Sequence, residues 1–375
     1  MCASILTLDV KANILKHIAM LKSVFPKRTL ISIGDYATQL LEKSRISGKN
    51  KDVLTLFIEK SKESSSEKKQ TCLITDGNNV IAEKDNTHYW YDVQKYVAEH
   101  DEIVKKLKNK PIDKLEGAVM VASTGEGIGS ALLVDLASRF KEGNVNSVAF
   151  AVLPSELQPL DTHFNSLWSM AACASKGLTQ ILISRDALES YVGVDRKGVV
   201  LNGNRVLNYL IELALEKERF VPEFSELTNS FNLKMFTILS ATGASLKVYG
   251  SLKNILDTAL LRALAPFDLS DASMLYVLVR MPLHLKNTLT HEKIELLVDE
   301  WFKEKTNLKV AYVSEPVYVD EGNDRLDILL FVGGFDLTAM VTSTDKKVKD
   351  IRNYAERNHL IEEKEWQKLI GNLLK

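Results

Sequence analysis

Short apolar runs, each closed by a small-residue turn and followed by a stretch of helical spacing, recur through the first half of the chain. RTLISI at 28–33 reads as a buried strand, followed by Gly34-Asp35 and the helical pattern YATQLLEKSR. TCLIT at 71–75 reads as a second strand. GAVMVA at 117–122 is a third, followed by STGEGIG and the helix SALLVDLASRF. Another strand covers 145–153 and stops at Pro154, and a short one at 181–184 follows one more helix. Strands alternating with helices to about residue 185 predict a parallel sheet with helices on both faces. Ahead of this rhythm, Ile14, Ile18, Leu21 and Val24 lie near helical spacing, and Pro26 ends that helix.

Beyond residue 200 the pattern changes. A long helix is expected over 203–219, and a second α/β segment follows with strands at 274–280, 310–313 and 326–332. The last three decades are amphipathic, with Ile351, Tyr354, Ile361, Trp366 and Leu369 as apolar positions. Packing of that tail on the body is preferred to a membrane-surface role. The expected organisation is an N-terminal helix (1–27), a nucleotide-binding domain (28–202), a central helix (203–220), a smaller α/β domain (221–340) and a helical tail (341–375).

A chain of 375 residues exceeds one ordinary core. Its 45% hydrophobic content can fill two, and a net charge of −1 from 48 basic and 49 acidic residues argues against a dedicated nucleic-acid binder. Cys2, Cys72 and Cys173 are far apart and give neither metal spacing nor a disulfide framework, which suits a reducing, cytoplasmic setting. Acids and lysines interrupt the apolar residues of the opening segment, and no stretch reads as a signal or a membrane span. The 61–69 segment SKESSSEKK is a solvated loop, and His88-Tyr89-Trp90-Tyr91 is either a partner-binding patch or a lid packed on the core.

VASTGEGIGS at 121–130 is the most informative segment. Gly125, Gly127 and Gly129 alternate between a buried strand and a helix. Glycine admits a close-approaching ligand, and successive N–H groups at a helix start can converge on an anion. Ser123 and Thr124 add hydroxyl donors, whereas the Glu126 carboxylate repels phosphate unless it faces away or meets a metal. A plain tight turn remains the other reading. GxxxxGK[ST] is absent, and the loop follows the third predicted strand, whereas a dinucleotide fingerprint follows the first.

This order resembles the tubulin/FtsZ superfamily, whose third βα turn carries GGGTG[ST]G. STGEGIG matches it at Gly125, Gly127 and Gly129, with Ser123, Thr124 and Glu126 at departing positions. DTHFNSLWS at 161–169 resembles the family's aromatic–asparagine stretch, with Phe164 and Asn165 as the pair. LNGNRVL at 201–207 is similar to the start of the family's central helix, where Asn204 would recognise guanine; Asn202 or Asn204 as a helix N-cap is the alternative. VPEFSEL at 221–227 resembles the loop whose acids position the attacking water on a neighbouring subunit, with Glu223 and Glu226 in those places. The same acids also suit an ordinary helix first turn. SATGA at 240–244 fits a glycine turn.

The resemblance implies a Rossmann-like parallel sheet, a long central helix and a smaller α/β C-terminal domain. It implies GTP/GDP with Mg²⁺ as ligands and Gly34, Asp76, Ser123, Thr124, Gly125, Gly127, Gly129, Phe164, Asn165 and Asn204 as binding residues. It implies head-to-tail self-assembly into filaments, or association with other tubulin/FtsZ-like proteins, with Glu223 and Glu226 completing hydrolysis. The largest departure is the first βα turn, ISIGDYATQL, where Gly34 is the only glycine and Asp35 adds unfavourable charge. That departure, with Glu126 and a shortened central helix, fits the alternative of a non-hydrolysing relative acting as a scaffold.

Overall fold

The computed structural model describes residues 28–42, 53–59, 70–73, 75–76, 79–80, 88–99, 117–267, 269, 272–305, 310–320, 322–334 and 345–373. The helix expected before residue 28, the 61–69 loop and most of the 71–116 interval lie outside them. The described residues divide into two compact units, one holding 28–180 with 345–373, the other 181–334.

The first unit is built on β1 (Arg28–Ile33), β2 (Val53–Glu59), β3 (Gln70–Leu73), β6 (Gly117–Ser123) and β7 (Asn146–Leu153), in sheet order β7-β6-β1-β2-β3. The short strands β4 (Thr75–Asp76) and β5 (Asn79–Val80) pair separately. β1 pairs in parallel with both β2 and β6, and β6 with β7. Every residue of β6 is buried, as the uninterrupted apolar run of a parallel strand covered on both faces requires. β2 escaped the sequence reading because apolar residues at 53, 54, 56, 57 and 58 fit a helix as readily as a strand.

Helices α1 (Asp35–Glu42), α2 (Trp90–Glu99), α3 (Gly127–Glu142) and α4 (Leu160–Lys176) follow. Ile128, Leu132, Leu136 and Phe140 turn one face of α3 into a core with Val93 and Met120. Gly177, at φ +83, ends α4 and returns its N–H to Ala174 and Cys173, a left-handed cap that a residue with a Cβ adopts only under strain. The terminal helices α11 (Asp345–Arg357) and α12 (Glu363–Leu373) pack against α4. Ile351, Ala355, Trp366 and Leu369 are their buried residues, so the tail is part of this unit's body.

The second unit contains β8 (Thr179–Ser184), α5 (Arg185–Ser190), the β9–β10 hairpin (Gly193–Val194, Val200–Leu201), α6 (Asn204–Glu216) and α7 (Phe220–Ser230). It continues through β11 (Met235–Ser245), α8 (Leu246–Tyr249), α9 (Leu252–Leu260), β12 (Met274–Pro282), α10 (His291–Lys305), β13 (Val310–Val313), β14 (Val317–Val319) and β15 (Arg325–Gly333). The sheet order is β13-β12-β15-β11-β8, with β14 alongside β12. β15 is antiparallel to β11 and β12, while β12 and β13 are parallel.

Two expectations change here. The helix expected to reach residue 219 ends at Glu216, because Lys217 turns to an extended backbone (ψ 102) and a three-residue link, 217–219, leads into α7. The SATGA segment is no turn. It is the end of an eleven-residue buried strand whose register shifts between Ala241 and Ala244. Gly243, at φ +56, forms that bulge, and a Cβ there would drive into the carbonyl of Asp195.

Among the described residues no helix is long and apolar enough to cross a membrane, and no group of three or more His, Cys, Asp or Glu side chains is placed to hold a metal ion.

Candidate functional site

The glycine loop joins β6 to α3, as its sequence context suggests. Its side chains, however, are largely spent on the protein itself. The Thr124 N–H donates to the carbonyl of Val152 (2.9 Å), and its hydroxyl reaches the same carbonyl (3.2 Å) and the Ser166 hydroxyl (2.7 Å). The Ser130 hydroxyl donates to the Thr124 carbonyl. Thr124, Ser130 and Ser123 are all buried. A hydroxyl paired in this way is not presented to an outside phosphate.

The glycines are needed for packing. A Cβ on Gly125 would stand 2.5 Å from the Thr162 methyl, and one on Gly129 would strike the Ser123 carbonyl. Gly129 therefore lets α3 start directly against the strand that precedes it, and Gly127 is its buried first residue.

Asn165 on α4 holds the loop from the other side. Its amide donates to the carbonyls of Gly125 (3.1 Å) and His88 (2.8 Å), and its oxygen accepts from the Trp90 N–H (3.3 Å). The neighbouring Phe164 is fully buried in the same helix. The aromatic–asparagine pair thus acts as a core residue and a clamp. The 88–91 patch is partly packed: Trp90 stacks on Trp168 at 3.6 Å between ring centres, and the exposed His88 pairs with Asp161. Burial raises the Asp161 carboxyl, but the bonds from His88 and Thr162 outweigh it and hold it below its ordinary range.

The first βα turn is a single residue. Gly34, at φ +86, connects β1 to α1, and Ser32 and Thr38 bridge the turn with their hydroxyls (2.9 Å). The Glu126 carboxylate lies over this glycine: a Cβ there would be 2.9 Å from Oε2 and 3.6 Å from the Gly129 nitrogen. The carboxylate and the Gly129 nitrogen thus both crowd the first turn, where a phosphate would have to be received, and Asp35 opens α1 with a second acid. The residues present do not fit a diphosphate: the first turn is a single residue, the Thr124 and Ser130 hydroxyls are engaged, and acids rather than donors flank the turn. Asp76 falls in β4.

The remaining predicted residues belong to the second unit. Asn204 is the exposed first residue of α6, and the N-cap is Gly203, at φ +49, so neither Asn202 nor Asn204 caps the helix. Glu223 is buried in the first turn of α7. It accepts from the Tyr276 hydroxyl (3.1 Å) and lies 3.8 Å from Arg219 and 4.0 Å from Lys217. Burial raises its carboxyl above the ordinary range, against the pull of Lys217, the Tyr276 hydroxyl and Arg219. It forms part of a cleft of about 530 Å³ lined also by Lys286, His291, Tyr312 and Tyr318. Glu226 is half-exposed on the same helix.

A cluster that the sequence reading missed lies in this unit. Arg280 donates to Asp327 (2.6 and 2.9 Å), to Glu216 (2.7 Å) and to the Tyr209 hydroxyl (2.6 Å). Asp327 also accepts from the Gly243 N–H (2.8 Å) and the Tyr209 hydroxyl. The cluster ties α6 to β11, β12 and β15. An arginine and an aspartate inside otherwise apolar runs, MLYVLVRMP and LDILLFV, were its only sequence signal.

No family model and no curated protein matches the chain at the level of sequence. Solved structures match its fold. CetZ from Methanosaeta thermophila strain DSM 6194 superposes with a TM-score of 0.66 at 16% identity, covering 89% of this chain and 94% of that one. CetZ1 from Haloferax volcanii, in a GDP-bound monomer, gives 0.65 at 16% identity over 88% and 99%. A GTPγS-form protofilament of TubZ from Bacillus thuringiensis serovar israelensis gives 0.60 at 13% identity over 93% and 98%. FtsZ from M. jannaschii likewise matches at 0.60. With a parallel sheet bearing the glycine loop and a second α/β unit containing the helix of Asn204, the chain has the fold of the tubulin/FtsZ superfamily.

Proposed function

We propose that this protein is a non-hydrolysing assembly protein of tubulin/FtsZ-like fold, a scaffold that associates head to tail with copies of itself or with other tubulin/FtsZ-like proteins. The observation that carries the reading is the Glu126 side chain over Gly34, which sets a carboxyl group where a nucleotide's phosphates would need N–H donors. Three further features support it. The Thr124 hydroxyl is engaged with Val152 and Ser166, the central helix stops at Glu216, and Glu223 is turned into the protein against Tyr276. Self-association draws on the protofilament described for the TubZ relative.

The second reading is a GTPase filament, with GTP/GDP and Mg²⁺ bound in each subunit and Glu223 and Glu226 completing hydrolysis on a neighbour. It is favoured by the exposed Asn204 at the start of α6 and by the GDP and GTPγS described for CetZ1 and the TubZ protofilament. The deciding experiment combines the A260/A280 ratio of the purified protein with GTP binding, turnover and sedimentation in Mg²⁺. A nucleotide-free protein that pellets equally with and without GTP supports the scaffold. Saturable GTP binding with turnover lost in Glu226→Ala would overturn it. Glu126→Thr removes the carboxylate and is expected to admit measurable guanine nucleotide.

A further inference from the structure

The C-terminal helix α11 touches both segments that wall the glycine loop, and it does so from one face. Lys347 and Tyr354 are seven residues apart, two helical turns, with the buried Ile351 between them. The Lys347 ammonium donates to the Glu156 carbonyl at 3.1 Å, in the loop between β7 and α4. That loop begins at Pro154, whose side chain would be 3.4 Å from a Cβ on Gly125. The Tyr354 hydroxyl bonds the Tyr89 hydroxyl at 2.8 Å. Tyr89 is flanked by His88 and stacked on Tyr91 at 5.2 Å between ring centres. The backbone on either side of Tyr89 is held by Asn165, through the His88 carbonyl and the Trp90 N–H, and the same amide holds the Gly125 carbonyl.

We infer that α11 is a latch for the glycine loop: docked, it holds Gly125 in place through Tyr89 and Asn165 on one side and the 154–159 loop on the other, and its release loosens the loop. The physical basis is continuity. Each step from Tyr354 to Gly125 is a direct hydrogen bond or a backbone connection within one compact unit, and Asn165 spends both donors and its acceptor on it. The latch is suited to release. α11 is rich in Asp, Lys, Arg and Glu, and among its residues only Ile351 and Ala355 are buried hydrophobics. Its polar contacts to the loop walls are neutral or solvent-facing, and these are the weaker classes of bond. Whatever competes for the face of α11 that meets α4 therefore acts on the glycine loop, whether or not a nucleotide is ever bound there.

Hydrogen–deuterium exchange on the full chain tests this. The double variant Lys347→Ala/Tyr354→Phe leaves Ile351, Ala355, Trp366 and Leu369 in place. Backbone amides of 124–130 are expected to exchange about five- to tenfold faster in it, the effect of losing one or two modest hydrogen bonds, while β12 in the other unit is unchanged. Tyr89→Phe alone, which leaves α11 intact, is expected to give a smaller acceleration at the same amides. The latch is overturned if 345–357 exchanges faster in the double variant while 124–130 keeps its wild-type rate. It is overturned equally if Tyr89→Phe leaves 124–130 untouched.

Discussion

The two units each bury a polar cluster beside a helix that carries candidate chemistry, and they use opposite materials. Beneath the glycine loop the cluster is neutral: Thr124, Ser130, Ser166 and Asn165, joined by hydroxyl, amide and backbone bonds. Beside α6 it is ionic: Arg280, Asp327 and Glu216, bridged by Tyr209. Removing one member of a neutral cluster leaves a dipole unsatisfied. Removing one member of a buried ionic cluster leaves a charge, which is far more destabilising. The neutral cluster under the glycine loop is therefore expected to tolerate single substitutions better than the ionic one beside α6.

The largest expected effect falls on the ionic side. Arg280→Ala strands the Asp327 carboxylate and is expected to lower stability by about 3–5 kcal/mol, read from the denaturant midpoint. Next comes Gly129→Ala, which pushes a methyl group into the Ser123 carbonyl and is expected to cost about 1–3 kcal/mol or to displace α3. Asn165→Ala removes the amide that joins Gly125 to the 88–90 segment. It should cost about 1–3 kcal/mol and accelerate exchange at 124–130 without altering β12 or β15. If Asn165→Ala proves as damaging as Arg280→Ala, the contrast between the clusters fails.

The smallest effect sharpens the comparison through pH. His163 on α4 is half-buried, and that burial first, then the nearby Lys347 charge, lower its pKa. The folded protein keeps this imidazole neutral in a range where the unfolded chain protonates it. Its contribution is thus fully present at neutral pH and above, and it is lost as pH falls below about 6.5, the ordinary histidine value. His163→Gln should flatten that part of the stability profile. Lys347→Ala should move the His163 resonance toward the ordinary titration, reporting directly on the docking of α11.

Much of the first unit was legible in the chain because its signals are local. An apolar run, three alternating glycines and a helical pattern lie within about two dozen residues, and the strand–loop–helix follows from them. The fates of Thr124 and Asn165 were not legible, since their partners are some 28 to 77 residues away. Glu223 illustrates the same limit. Its place in a helix first turn was readable beside the candidate catalytic role, but its burial against Tyr276 depends on a strand 53 residues further along. The pairing of Asp327 with Arg280 is not legible in the chain, because a single charge in an apolar run acquires meaning only when its counterpart is brought alongside.

By itself the sequence determined the alternation of strands and helices, the position of the glycine loop and the likeness to the tubulin/FtsZ superfamily, all of which rest on periodicity and short motifs. The tertiary structure alone decided what those motifs touch. It turned the loop's hydroxyls inward, laid the Glu126 carboxylate over Gly34 and brought α11 against both walls of the loop. The physical reason is that a donor or a charge has no fixed meaning until its partner is known, and partners are chosen by packing across the chain.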